Sequence, residues 1–230
     1  MITLAIDTAT RTAGVALLHD ETVLVEYFFN VSVNHSETVL SAVHQGLALA
    51  GIGIDGVDLF ALTVGPGSFT GLRIGASTVK GLALTTGKPV VGVSTLEALA
   101  YNAIECPALI CPMLDARKGE VYAALYRANG EGLFDVVLEE EVTTPGQFLD
   151  RIEGEPLFLG DGFIEHAERI RDRFQGRARF APSNRQWVRA SSAALIGMKR
   201  YGKGDRLDVA TFVPRYLRRS EAEIRHAEKP

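Results

Sequence analysis

Apolar residues along this chain recur in two periods, and the switches between them mark its elements. Residues 2–6, 15–18 and 23–29 are apolar runs too short for helices, rich in β-branched residues and separated by polar turns. They predict three strands in an antiparallel meander. After Asn34-His35-Ser36 the period lengthens. Val39, Leu40, Val43 and Leu47 fall on one helical face, Ser36 is placed to cap it, and Gly51 and Gly53 end it. Ala42, Ala48 and Leu49 lie elsewhere around the same helix. Residues 59–64 return to a continuous apolar run, read as a buried strand.

That strand opens the stretch around which the chain is organised. Gly65-Pro66-Gly67 stops it with a tight turn, and Ser68 or Thr70 can cap the helix that follows. Leu72, Ala76, Val79 and Ala83 form the helical stripe, with Gly71 and Gly75 one turn apart beside it. Glycine inside a helix costs up to about 1 kcal/mol against alanine, so two of them predict a very close neighbour. A Gly-rich turn before a helix also suits a bound phosphate. Here, though, neither the P-loop nor the dinucleotide fingerprint is spelled out, and the glycines are accounted for equally by the turn alone. A strand at 89–93 and a short helix at 95–101 complete a β-β-β-α-β-α-β-α order, which implies a partly parallel sheet with helices packed on it.

The second half reads as less regular. Strands are predicted at 108–114 and 121–126, joined by a hairpin through Asp115-Ala116-Arg117-Lys118-Gly119-Glu120, with another strand at 134–142. A short helix at 145–152, a strand at 156–159 ending in Gly160-Asp161-Gly162, a helix at 163–174, a loop at 177–186 and a final helix at 191–201 follow. Pro214-Arg215-Tyr216-Leu217-Arg218 is expected to pack onto the body. The boundary falls near 102–107, giving units 1–102 and 103–230.

Composition narrows the function classes. The chain has 230 residues, 47% hydrophobic and 23% charged, which is enough apolar content for a sizeable core. A net charge of -4 is a poor footprint for gripping nucleic acid alone; the one local basic group is Arg215, Arg218 and Arg219, read mainly as a solvated face. The first residues carry neither a basic region nor an apolar stretch of secretory type, and no run is long enough to span a bilayer. Cys106 and Cys111 lack C-x-x-C spacing and read as buried thiols of a cytoplasmic protein. His19, His35, His44, His166 and His226 form no H-E-x-x-H or metal pair, so no metal site is expected; His35 and His44 suit a surface or interface. Ser68 is outside a G-x-S-x-G elbow and has no evident His or acid partner, so no residue is nominated as catalytic.

The candidate chemistry sits on two turns. In Asp7-Thr8-Ala9-Thr10 a strand-end carboxylate and hydroxyls can serve magnesium and phosphate, or simply cap the turn. Asp115, Arg117 and Lys118 occupy the corresponding turn of the second half, and Asp161 either faces a nucleotide or only begins a helix.

The element order resembles one half of the actin-like fold of sugar kinases, Hsp70 and actin, which carry that half twice. It predicts an α/β two-lobed architecture with a reduced second lobe. The segments IDTAT, VGPGSFTGLRIGASTVKGLA and DARKGEVYAALY resemble the TsaB (YeaZ) family, over residues 6–222. The resemblance implies a non-catalytic scaffold in a complex that transfers a threonylcarbamoyl group, from threonylcarbamoyl-adenylate, to N6 of the adenosine beside the anticodon in tRNAs reading ANN codons. Its implied partners are a TsaD-type catalytic subunit, a TsaE-type ATPase, tRNA through the complex, and a second copy of itself when alone. It implies no cofactor for the isolated chain, ATP or ADP only in the complex, and weak or no ATP hydrolysis. TsaD-type chains carry a His-x-x-x-His metal pair that is missing here. The implied nucleotide positions are Asp7, Thr8, Thr10 and Asp115. The implied interface is the helix pair 36–50 and 68–84, through Val39, Val43, Gly71, Leu72, Gly75, Ala76 and Val79. A small-molecule phosphotransferase using Asp7 and Thr8, and a metallopeptidase, stand as alternatives.

Overall fold

The computed structural model describes residues 1–30 and 35–218, with His35 and Ser36 described in backbone only. Strands β1 (Ile2–Asp7), β2 (Ala13–His19) and β3 (Thr22–Phe29) form the predicted meander. Helix α1 (His35–Ala50) leads to β4 (Leu59–Thr63), α2 (Phe69–Thr86) and β5 (Val90–Val93). The sheet order is β3-β2-β1-β4-β5, with β1, β4 and β5 parallel. Because α1 begins at His35, Ser36 is inside the helix rather than capping it; Asn34, Arg219 and His226 lie outside the described residues.

The second half repeats this plan closely. After α3 (Thr95–Ala100) come β6 (Leu109–Arg117), β7 (Glu120–Ala128), β8 (Phe134–Thr143), α4 (Pro145–Leu149), β9 (Pro156–Leu159), α5 (Ala167–Phe174) and β10 (Arg179–Phe180). The order β8-β7-β6-β9-β10 mirrors that of the first sheet. Three readings change. The hairpin strands run on to Arg117 and Glu120, so the turn is only Lys118-Gly119, both with the positive φ that a two-residue hairpin needs. The loop at 177–186 contains β10, whose two residues are held by pairing with β9 rather than by any pattern of their own. The reduction of this lobe lies in its helices: α4 has five residues and α5 eight.

The layers follow from side-chain size. One face of the first sheet, with Leu4, Ile6, Val15, Leu17, Phe60 and Leu62, takes α1 and α2. Its other face is small, built from Ala5, Ala16 and Ala61, and this lets α6 (Ala190–Gly202) lie close through Ala190, Ala194 and Gly197. The last helix therefore covers the first sheet, although it was assigned to unit 103–230. Helix α3 packs instead on β6 and β7, and α3 and α6 fill the space between the two sheets. Helices α4 and α5 close the outer face of the second sheet with Phe148, Ile170 and Phe174. This is the duplicated, two-lobed actin-like architecture.

Ser68 caps α2 by accepting from the Gly71 N–H at 3.3 Å, and Gly87 ends it in the left-handed region. Gly71 and Gly75 serve the chain's own packing. A Cβ on Gly71 would overlap the Thr8 carbonyl oxygen, and one on Gly75 would lie 2.5 Å from Thr8 Oγ1 and 3.1 Å from Leu62. Gly81, on the same helix, has nothing within 4 Å of such an atom. Gly71→Ala is expected to lower unfolding free energy by roughly 1–3 kcal/mol through overpacking, whereas Gly81→Ala raises it by about 0.5–1 kcal/mol. Urea denaturation of both variants checks the contrast, and equal effects would refute the assigned contact.

Candidate functional site

The turn after β1 begins with three buried residues, Asp7, Thr8 and Ala9, before Thr10 and Arg11 reach the surface. Asp7 is completely buried. Its Oδ1 accepts from Thr63 Oγ1 at 2.6 Å and from the Ala9 N–H at 3.1 Å, while Oδ2 has no partner among the described residues. Burial pushes its pKa from the ordinary 3.8 up to about 6, against the smaller lowering effects of those two hydrogen bonds. Thr8, also buried, spends its hydroxyl on the Gly71 carbonyl at 2.7 Å. The Ala9 carbonyl accepts from the Ser68 N–H at 2.6 Å, and Thr10 shares a 2.9 Å hydroxyl contact with Thr12. The N-terminus of α2 is thus occupied by the chain's own β1 turn.

Asp115 is far from that arrangement in character. It is exposed at the end of β6, where its carboxylate accepts from the Arg117 N–H at 2.7 Å and its own N–H donates to Asp161 at 3.1 Å. Asp161 is raised by burial first and by the Asp115 charge second, with the Asp115 N–H and Arg11 opposing. Arg11 also lies over the Trp187 ring at 4.5 Å. The structure therefore brings Asp115 and Asp161 together, with Arg11 near Asp161, but leaves Asp7 and Thr8 without surface to offer a ligand. Of the four positions named for a nucleotide, Asp7 and Thr8 are buried, Thr10 is half-buried and Asp115 is exposed. Among the described residues no three His, Cys, Asp or Glu side chains form a metal-holding group.

Sequence reasoning missed Thr63, the donor to Asp7; its one signal is a hydroxyl at the end of an otherwise apolar strand. It also missed a polar seam between the lobes. Arg200 of α6 grips Glu97 of α3 with two bonds of 2.7 and 2.6 Å and donates to the Gly92 carbonyl at 3.0 Å. Glu140 of β8 accepts from Ser94 and from the Tyr126 hydroxyl, the latter at 2.7 Å. Residue spacing does not pair Arg200 with Glu97 or Ser94 with Glu140, because those bonds join elements distant in sequence; Tyr126 and Glu140 stand on the neighbouring strands β7 and β8.

The seven residues assigned to the helix interface are buried within the chain. Val39, Val43, Ala76 and Val79 belong to the core under α1 and α2, Leu72 is buried beside the Gly65 turn, and Gly71 and Gly75 meet Thr8. Leu40 does not: it is 54% exposed, and Ala42 takes its place on the buried stripe. The apolar side chains the two helices turn outward are Leu40, Leu49 and Leu84.

The Asp7 carboxyl gives a testable pH dependence. Its folded pKa is above its unfolded one, so between about pH 4 and pH 6 the folded chain binds more protons. Its contribution is complete below the unfolded pKa and is lost as pH rises through about 6, a change of about 3 kcal/mol. Asp7→Asn keeps an acceptor for Thr63 and Ala9 but cannot ionise. Denaturation near pH 4 and near pH 8 should find the variant close to wild type at the lower value and about 2–3 kcal/mol more stable at the higher; parallel pH profiles would contradict the assignment.

Comparison with known proteins places the chain among relatives of the same fold. The profile of the family described as "TsaD: tRNA N6-adenosine threonylcarbamoyltransferase" matches residues 30–226. The tRNA threonylcarbamoyladenosine biosynthesis protein TsaB of Bacillus subtilis is 34% identical over 231 residues, covering 99% of each chain. YeaZ from Pseudomonas aeruginosa superimposes with a TM-score of 0.79 at 29% identity, over 94% of this chain and 99% of that one. The component A of (R)-2-hydroxyglutaryl-CoA dehydratase from Acidaminococcus fermentans shares the fold alone, with a TM-score of 0.52 at 11% identity over 88% and 99% of the two chains. Matched from end to end by TsaB, and included in the wider group that the threonylcarbamoyltransferase profile describes, this chain belongs to the TsaB (YeaZ) family of tRNA threonylcarbamoyladenosine biosynthesis proteins.

Proposed function

We propose that this chain is a non-catalytic scaffold in tRNA threonylcarbamoyladenosine synthesis, supporting a TsaD-type subunit that carries out the transfer to N6 of adenosine. The observation that carries the reading is the burial of Asp7 and Thr8 at the end of β1. A phosphotransferase of this fold needs its strand-end acid and hydroxyls open to a nucleotide, and here Asp7 and Thr8 are buried beneath the start of α2. Family membership supplies the pathway, and that burial favours a binding role over an enzymatic one.

The docking surface in this reading is the outward side of α1 and α2, which pack side by side on the first sheet. Leu84 is 68% exposed and shares the outward side of α2 with Gly81, while Leu40 and Leu49, 54% and 74% exposed, stand on opposite flanks of α1, so a facing helix pair would meet apolar and small groups on both helices. The same surface would join two copies when the chain is alone, so the catalytic partner and the homodimer compete for it. A TsaE-type ATPase and tRNA reach the chain through that complex, in the cytoplasm, and any ATP or ADP belongs to the assembly. No helix among the described residues is long and apolar enough to cross a membrane.

Leu49→Asp combined with Leu84→Asp tests the surface without entering the core. The double variant is expected to keep its circular dichroism spectrum, to scatter light as a monomer, and to bind a TsaD-type subunit at least tenfold more weakly, since two desolvated contacts of ordinary hot-spot strength supply that loss. Unchanged mass and affinity in a folded variant would remove the surface from consideration. Calorimetry of the isolated chain with ATP and magnesium should give no binding that depends on Asp7; tight binding abolished by Asp7→Ala would favour the phosphotransferase.

A further inference from the structure

We propose that residues 207–218 form a releasable latch that holds the two lobes together across the first turn of α2. The segment leaves α6 and runs back along the first lobe. Leu207 donates its N–H to the Val90 carbonyl at 2.8 Å, Phe212 lies under Lys80 at 4.5 Å, and the Arg215 N–H bonds the Val64 carbonyl at 2.7 Å. Tyr216 then covers Phe69, the first residue of α2, with ring centroids 4.7 Å apart, and accepts from Arg73 Nε at 3.4 Å. From there the chain crosses to the second lobe. Arg215 pairs with Glu140 of β8 at 2.9 Å, and Arg218 reaches the Ala116 carbonyl at 2.6 Å and Glu120 at 2.7 Å on the β6–β7 hairpin.

The receiving surface is shaped for this segment. Gly65 has φ +119°, and a Cβ there would overlap the Arg215 carbonyl oxygen. The turn before α2 therefore needs glycine both for its own backbone and for the passage of the latch. Meanwhile the latch holds few groups that would make it permanent. It has no helix or strand of its own between Leu207 and Arg218; Val213 is 75% exposed, Phe212 is its one buried apolar side chain, and Leu207 and Val209 are only partly buried. Its far end is held mainly by charged groups, Arg215 half exposed beside a nearly buried Glu140 and Arg218 beside Glu120, with Tyr216 on Phe69 and a partly buried Leu217 as its apolar contacts. Such a segment opens locally at far lower cost than the sheets beneath it, and its ion pairs weaken with salt. Release uncovers the half-buried Phe69 and frees the already exposed Arg73 from Tyr216, enlarging the apolar surface at the start of α2. That last consequence rests on the docking role proposed above; the exchange experiment below reads the latch alone.

Hydrogen exchange followed by mass spectrometry tests this on the full chain. In Arg215→Ala/Arg218→Ala, exchange should speed at least tenfold in three places together: the latch, residues 64–73 and the hairpin around 115–120. The strands β1 and β2 should keep wild-type protection. Acceleration confined to the latch, or no acceleration, would make it a passive covering, and loss of protection throughout would make it a fixed part of the core; each overturns the proposal. In the wild-type chain, raising ionic strength from about 0.05 to about 0.5 M should speed the same three regions, and indifference to salt would equally refute an ionic latch.

Discussion

The backbone of Thr8 and Ala9 leaves no room for a side chain on the facing turn of α2. Gly67, Gly71 and Gly75 make that approach, and the polar groups in it satisfy one another: the Ser68 N–H bonds the Ala9 carbonyl and the Thr8 hydroxyl bonds the Gly71 carbonyl. Much else depends on this contact. It fixes how deeply α2 sits on the first sheet and therefore which of its residues point outward. It places Asp7 out of reach of solvent, with Thr63 and the Ala9 N–H as its donors. A helix N-terminus is a ready anion site when its N–H groups face open space; here the chain has filled that position with its own turn.

The lobes meet through α3 and α6, and the meeting is more polar than the sheets. Glu97 and Arg200, with side chains 15% and 28% exposed, form a two-bonded pair. Burial raises the Glu97 pKa and the Arg200 charge draws it back down. Desolvating such a pair costs nearly as much as its attraction returns, so its contribution is geometric: it accepts one orientation of α3 against α6. Tyr126 and Ser94 do the same for Glu140, and the Tyr126 hydroxyl is held firmly protonated by burial and by that carboxylate. The latch is fastened to this same Glu140, so the seam and the C-terminal segment form one connected set of contacts.

Much of the architecture was legible because its cause is local. Strand and helix periods, the Ser68 cap, the Gly87 stop and the Gly-rich turn all act over a few residues, and the structure keeps most bounds within one or two positions, although β6 ends three residues later, α4 ends three earlier and α5 begins four later than the pattern predicts. The glycines of α2 announced a close neighbour, though not which one. The stripe on α1 was misread at Leu40 because Ala42 is a weak apolar signal, yet a small side chain suits a helix pressed against another. Arg179-Phe180 gave no strand signal at all, since two residues become a strand only when β9 is already beside them.

By itself the sequence determined the order of elements apart from β10, the glycine-rich turn and the family, because periodicity and contiguous motifs are properties of neighbouring residues. Tertiary structure alone decided what each candidate residue can do. Asp7 and Thr8 are adjacent to an apparently inviting turn, but solvent access depends on how α2 packs. Val39, Val79 and the glycines form helical faces, but which face looks inward depends on the sheet beneath them. Asp115 and Asp161, forty-six positions apart, become neighbours only when β9 lies beside β6. Burial and proximity are sums over the whole folded chain, and no local pattern contains them.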